Sequence, residues 1–236
     1  MNYLANALPI NGLNTGEVSA LFPNYFVPAG YTFSIWGVIY LLLLVFIVYQ
    51  SRGWVGDYTD ANWIYTIGNL FFYTCLFNAT WIIAWHFLQP LLAFGLMLLL
   101  LYTLIRIYIR LESADSTSPA PKLVKIAFST YLAWISVATI ANATAVLVYY
   151  NWIPPVLSPA QWAGTMILVA ALLGIYFIWK KGDYIFGLVI IWALAGIYSA
   201  RLYSEELYIF IKVAIIAGIA GLLIAMVASL IRKKTD

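Results

Sequence analysis

Apolar residues in this chain come in long blocks separated by short polar breaks. Seven blocks stand out, at roughly 30–50, 62–87, 90–110, 123–149, 160–180, 184–200 and 206–231. A helix needs about 20 apolar residues to cross the hydrocarbon core of a bilayer at 1.5 Å rise per residue. Most of the blocks meet that length, and the sixth is the shortest. Backbone groups in lipid must be paired internally, and these blocks lack the polar–apolar alternation of barrel strands. The pattern therefore predicts an all-α integral membrane protein, a bundle of about seven transmembrane helices.

The breaks divide the chain further. Residues 1–29 are polar and carry Pro9, Pro23 and Pro28, so they read as an outer loop or lid. A short helix is expected near Thr15–Leu21, with Thr15 as cap and Glu17 favouring its N-terminal end. The linker Leu111–Pro121 separates three blocks from four and reads as a hinge. This leaves a lid (1–29), a helical core (30–150) and a further three-helix membrane segment with a basic tail (151–236).

Composition agrees with the blocks. The chain is 64% hydrophobic and 9% charged over 236 residues, where a soluble domain would carry about a quarter charged. Ten of the twelve basic residues fall in alternate connections and in the tail: Arg52, Arg106, Arg110, Lys122, Lys125, Lys180, Lys181, Arg232, Lys233 and Lys234. By the positive-inside rule the N-terminal loop lies outside and the C-terminus in the cytoplasm, across an inner or plasma membrane. The net charge of +3 is spread over loops and gives no nucleic-acid footprint. The single cysteine, Cys75, sits within an apolar block, so no intrachain disulfide forms. The first residues, Met1-Asn2-Tyr3-Leu4-Ala5-Asn6, lack the basic and apolar regions of a signal peptide.

Two helical faces carry candidate chemistry. Asn78, Trp81 and Trp85 sit at i, i+3 and i+7 of the second block. Tyr131, Trp134, Ala138 and Asn142 sit at i, i+3, i+7 and i+11 of the fourth. An amide in lipid is costly unless paired, so both asparagines should point inward. Their Asn-x-Thr sequences lie too deep in apolar blocks to be glycosylated. Asparagines and small residues commonly glue helices together, and tryptophan fills space. Yet tryptophan usually sits in interfacial belts, and these lie inside the blocks. With Trp36, they outline an aromatic pocket under the lid, suited to a flat apolar ligand.

Other chemistry is thin. His86 is the sole histidine, a weak candidate for haem ligation at the outer end of its block, where an imidazole reaches water. With no second histidine and no cysteine pair, no metal site is expected. Lys212 invites comparison with retinal proteins, but the third block supplies no carboxylate counter-ion, and Lys212 can snorkel beside Glu205 and Glu206. Small residues four apart, Ala214/Gly218 and Ala217/Gly221/Ala225, permit close helix packing inside the bundle or across a homodimer.

The motifs resemble the TspO/MBR family, the tryptophan-rich sensory proteins and translocator proteins also called peripheral-type benzodiazepine receptors. Pro28, Tyr31, Phe33, Trp36 and Tyr40 are similar to that family's Pro-Pro-x-Trp-x-Phe…Trp…Leu-Tyr motif. Asn78 and Trp81 match its Asn-x-x-Trp, and Tyr131, Trp134, Ala138 and Asn142 match its Tyr-x-x-Trp…Ala…Leu-Asn. Ala29 replaces the second proline, Tyr31 the first tryptophan, and the Phe33–Trp36 gap is one residue short. Tyr149 and Tyr150 have no Lys or Arg within reach, so the cholesterol-recognition pattern is not met.

The resemblance covers residues 28–150 and implies a TspO-like core extended by three helices. The family's first helix would end where this chain begins, so a preceding segment is expected. The resemblance further implies that a porphyrin or haem-like molecule binds at Tyr31, Phe33, Trp36, Asn78, Trp81, Trp85, Tyr131, Trp134, Ala138 and Asn142. The implied role is sensing or transport-linked regulation, with the bilayer and a hydrophobic small molecule as partners and no resident cofactor. Catalysis is not expected, since no acid–base pair stands in the pattern; light-dependent porphyrin breakdown is the one reaction the resemblance implies. A small-molecule permease and a structural membrane subunit are the alternatives.

Overall fold

The computed structural model describes residues 10–51, 62–113, 122–152, 156–202 and 209–235. These residues are helical throughout apart from turns and one isolated bridge, Ile10 to Leu13. The short helix α1, Thr15–Ala20, is capped by Asn14, whose side chain accepts from the Gly16 and Glu17 amides while Glu17 reaches back to the Asn14 amide. The capping residue is thus Asn14 and not Thr15. Asn14 has the extended backbone a cap needs, whereas Thr15 is already the first helical residue.

A 3₁₀ turn, Gly30–Ser34, leads into α2, Ile35–Ser51. The second block is broken: α3, Asn62–Ile67, stops at Gly68, whose φ of 53° no helix interior holds, and α4 runs Leu70–His86. Helix α5, Pro90–Glu112, opens on a proline, which suits the first turn. Helix α6 runs Lys122–Tyr149. Helix α7, Pro159–Tyr176, starts from a Ser158/Gln161 capping box and ends in a π-helical turn, Phe177–Lys181. Gly182, at φ 63°, stops it, and Asp183 caps α8, Tyr184–Ala200. Helix α9, Ile209–Thr235, follows.

Five stretches among the described residues are long and apolar enough to cross a membrane: Gly30–Ser51, Pro90–Glu112, Lys122–Tyr149, Pro159–Lys181 and Ile209–Arg232. Helices α4 and α8 have 17 residues each and rise about 25 Å, short of a full hydrocarbon core. The architecture is therefore an all-α, multi-span membrane bundle in which five expected spans are full length and two are short. The linker residues 114–121 lie outside the described residues.

Helix α6 is the centre. Sixty-one per cent of its apolar window is buried inside the bundle, against 33–39% for the other four long spans. It packs on α5 to one side, α2 and α8 to others, while α4 packs on α5 and α9 covers α7 and α8. Of the small residues spaced four apart on α9, all but Ala217, which is exposed, face this internal packing. Gly218 faces the Ala171 methyl and Leu194, Gly221 faces Ile175, and Ala214 and Ala225 are buried. That face joins α9 to its own bundle.

Candidate functional site

Trp36 is the hub of a cluster of rings where α2, α4 and α6 meet beneath the lid. Its ring stacks on Tyr40 (centroids 5.5 Å apart, 11° between planes) and tilts against Trp81 at 6.3 Å. Tyr131 and Trp134 meet it edge-on at 6.0 and 6.4 Å. Trp81 stacks on Trp85 at 6.0 Å, Trp85 touches Phe22 of the lid, and Phe33 sets its edge to Trp134. Tryptophans 36, 81, 85 and 134 are all buried. Ring pairs in these geometries add roughly 0.5–1.5 kcal/mol each beyond area burial.

The polar edges of the cluster are mostly paired. The Trp81 indole N–H donates to Asn142 Oδ1 at 3.0 Å, and the Asn142 amide donates to the Ala138 carbonyl at 2.9 Å. Asn78 donates to the Tyr40 hydroxyl at 3.3 Å. The Trp85 indole reaches the Thr15 carbonyl in the lid at 3.4 Å. Besides the Asn78 side-chain oxygen, two groups of the cluster are buried with no hydrogen-bond partner: the Trp134 indole N–H and the Thr15 hydroxyl.

Both of these residues line one small cavity of about 40 Å³. Its walls include Phe33, Trp36, Trp81, Trp85, Trp134, Ala138 and Asn142 of the sequence-derived set. Three others lie elsewhere. Tyr131 is buried beneath Trp36, and Asn78 faces Tyr40. Tyr31 is 51% exposed, its hydroxyl bonded to Ser199 at 2.9 Å and its ring edge-on to Trp192. On the far side of Phe33, Trp36 and Pro28 lies a second, open groove of about 660 Å³, bordered by Tyr31, Tyr40 and α1.

His86 does not reach water. It is 1% exposed, with Nδ1 2.9 Å from the Ile82 carbonyl and Nε2 unpaired. The lid turns over it: the Asn11 side chain donates to the His86 carbonyl at 3.0 Å. The position at a helix end suggested exposure, but the lid, invisible to helical periodicity, seals that end. Among the described residues no group of three or more potential metal ligands comes together.

Sequence reasoning missed the part played by the later helices. Ala193 and Ile197 of α8 complete the cavity wall. Helix α8 also holds the lid. The Ala29 amide donates to the Gly196 carbonyl at 3.0 Å and the Trp192 indole to the Thr32 carbonyl at 3.0 Å. Gly196 is required there, because a Cβ would overlap the Thr32 side chain. Arg201, just past α8, donates to the carbonyls of Asn24 (2.8 Å), Val27 (3.3 Å) and Tyr25 (3.4 Å) and lies over the Tyr25 ring. One signal was available in the sequence: Arg201 is a basic residue on the side otherwise nearly empty of them.

A family model described as TSPO-like protein matches residues 1–228, so the match runs through the last three helices as well as the ring cluster. No curated protein matches the chain, and no solved structure matches it.

Proposed function

This chain belongs to the TSPO-like protein family, and from that membership we propose that it binds a flat hydrophobic ligand, porphyrin- or haem-like, at the tryptophan cluster. Its role is that of a sensor or transport-linked regulator in a cell's inner or plasma membrane, with the lid outside and the C-terminus in the cytoplasm. The observation that carries the reading is the pair of unpaired buried groups, Trp134 N–H and Thr15 hydroxyl, on one ring-walled cavity. A buried donor without a partner costs about 1–3 kcal/mol. An occupant with an acceptor edge and an apolar face removes that cost.

Size decides how such a ligand sits. Drug-sized ligands occupy about 300–1,000 Å³, and the small cavity has about 40 Å³. The open groove beside it has about 660 Å³ and shares Phe33, Trp36 and Pro28 with it. The ligand plane lies in the groove against Trp36, and movement of Phe33 and Trp36 joins the two spaces. Helix α8 and Arg201 set how easily the lid allows this. The role assigned is binding without turnover.

The test is a tryptophan-fluorescence titration with protoporphyrin IX and haemin on the protein, Trp81→Ala and Trp134→Ala. Saturable quenching weakened in both variants supports the reading. Non-saturable quenching, identical in all three, means partition into detergent and overturns it. Loss of protoporphyrin under light, dependent on both tryptophans, would assign turnover instead.

A structural membrane subunit is the second reading, favoured by the small volume of this cavity, since the rings largely fill their own space. It predicts stability changes but no saturable quenching.

A further inference from the structure

The end of the bundle away from the lid holds a different site. A cavity of about 360 Å³ opens between the end of α5, the start of α6 and the α7–α8 turn. Lys125, Lys181, Glu112, Ser129 and Asp183 line it. Asp183 is already occupied: it accepts from the Ser129 hydroxyl at 2.7 and 2.8 Å, the Tyr108 hydroxyl at 2.9 Å and the Phe186 amide at 3.0 Å. Lys181 is paired with Glu112 at 2.6 Å. Lys125 is exposed and has no ion-pair partner among the described residues. The lining itself carries two lysines and two carboxylates. Arg110, Lys122, Lys180 and Arg232 lie on helix ends outside that lining and make cations outnumber carboxylates among the described residues of this end of the bundle.

This cavity, apolar over most of its lining but carrying charged side chains, meets a groove with almost no polar surface. The groove, of about 460 Å³, runs along the membrane-spanning part of the bundle, with α6 as floor and α2 and α8 as walls. Its lining includes Val38, Leu42, Thr130, Leu188 and Trp192. Ile126 and Ile185 belong to both cavities and join them. From Ile185 to Trp192 along α8 the groove extends about 10 Å at helical rise. Charged side chains at one end and an apolar groove behind them fit an amphiphile whose head lies at the membrane surface.

We propose that this composite site binds an anionic glycerophospholipid of the bilayer, its phosphate at Lys125 and one acyl chain in the α2–α6–α8 groove. Basic pockets between transmembrane helices attract acidic head groups in this way. The site lies apart from the tryptophan cluster and does not depend on what that cluster binds. It places a lipid against α8, the helix that holds the lid.

The experiment is native mass spectrometry of the delipidated, detergent-solubilised protein, titrated with phosphatidylglycerol and with phosphatidylcholine of the same chains. Phosphatidylglycerol should bind more tightly, and salt should erode its advantage. Lys125→Glu should cost about fivefold or more of that preference, since each basic residue near the surface contributes about that factor. Val38→Phe, which fills the groove, should weaken both lipids and leave the preference. Lys125→Gln, a milder change, should show a smaller loss if Lys125→Glu proves unstable. Equal binding of the two lipids, or a preference unchanged in Lys125→Gln, overturns the proposal. So does inorganic phosphate displacing the lipid at matched concentration, because the acyl chain would then contribute nothing.

Discussion

The indole N–H of Trp81 on α4 ends on the side-chain oxygen of Asn142 on α6, 3.0 Å away and sealed from solvent. The two residues come from different motifs 61 positions apart. Because Asn142 also anchors to Ala138 within its own helix, its oxygen is held at a fixed height for the indole. The bond therefore sets the register of α4 against α6 and the tilt of one cavity wall.

Asn142→Leu should consequently destabilise the protein by about 1–2 kcal/mol, because Trp81 keeps a buried donor with no acceptor. Trp81→Phe in the same background should recover part of that loss. Thermal unfolding of the four proteins in one detergent measures the cycle.

Trp134→Phe should behave in the opposite way. It removes an N–H that has no partner, so its stability cost should stay below about 1 kcal/mol, well under the cost of deleting a buried ring. Protoporphyrin quenching should nonetheless weaken, since the ligand loses a donor. Melting temperature and titration on the same sample separate the two effects.

Arg201→Gln should loosen the lid while leaving the bundle intact. The guanidinium ties the three carbonyls of Asn24, Tyr25 and Val27, and charge-assisted bonds of this kind are worth about 1.5–3 kcal/mol. Hydrogen exchange should rise over residues 20–34 and remain unchanged along α5. Uniform exchange in both regions would mean that Arg201 supports the whole fold instead.

Gly196→Ala tests the close approach of lid and helix. The added methyl meets the Thr32 side chain, and overpacking of this kind costs about 1–3 kcal/mol. Thr32→Ala should restore part of the stability by removing the hydroxyl and methyl in the way. A strictly additive double mutant would show that the contact relaxes elsewhere.

Much of this protein is legible in its sequence for a simple reason: a bilayer reads local chemistry. Hydrocarbon rejects unpaired backbone and charge segment by segment, so the helices at 90–112 and 122–149 follow from their own residues. Helical periodicity likewise puts Asn78, Trp81 and Trp85 on one face, and Trp134, Ala138 and Asn142 on another. The motif resemblance then points to the family that the whole-chain match identifies.

What the tertiary structure decided depends on residues far apart in the chain. Periodicity cannot say that the lid closes over His86, that Tyr31 turns out to Ser199, or that α8 supplies a cavity wall. Nor can it say how much space four tryptophans leave between them. Volume is set by the mutual tilt of three helices, and a tilt change of a few degrees separates a filled core from an open site. The role of Arg201 is of the same kind: its partners are backbone carbonyls more than 170 residues away, and a carbonyl leaves no trace in a sequence.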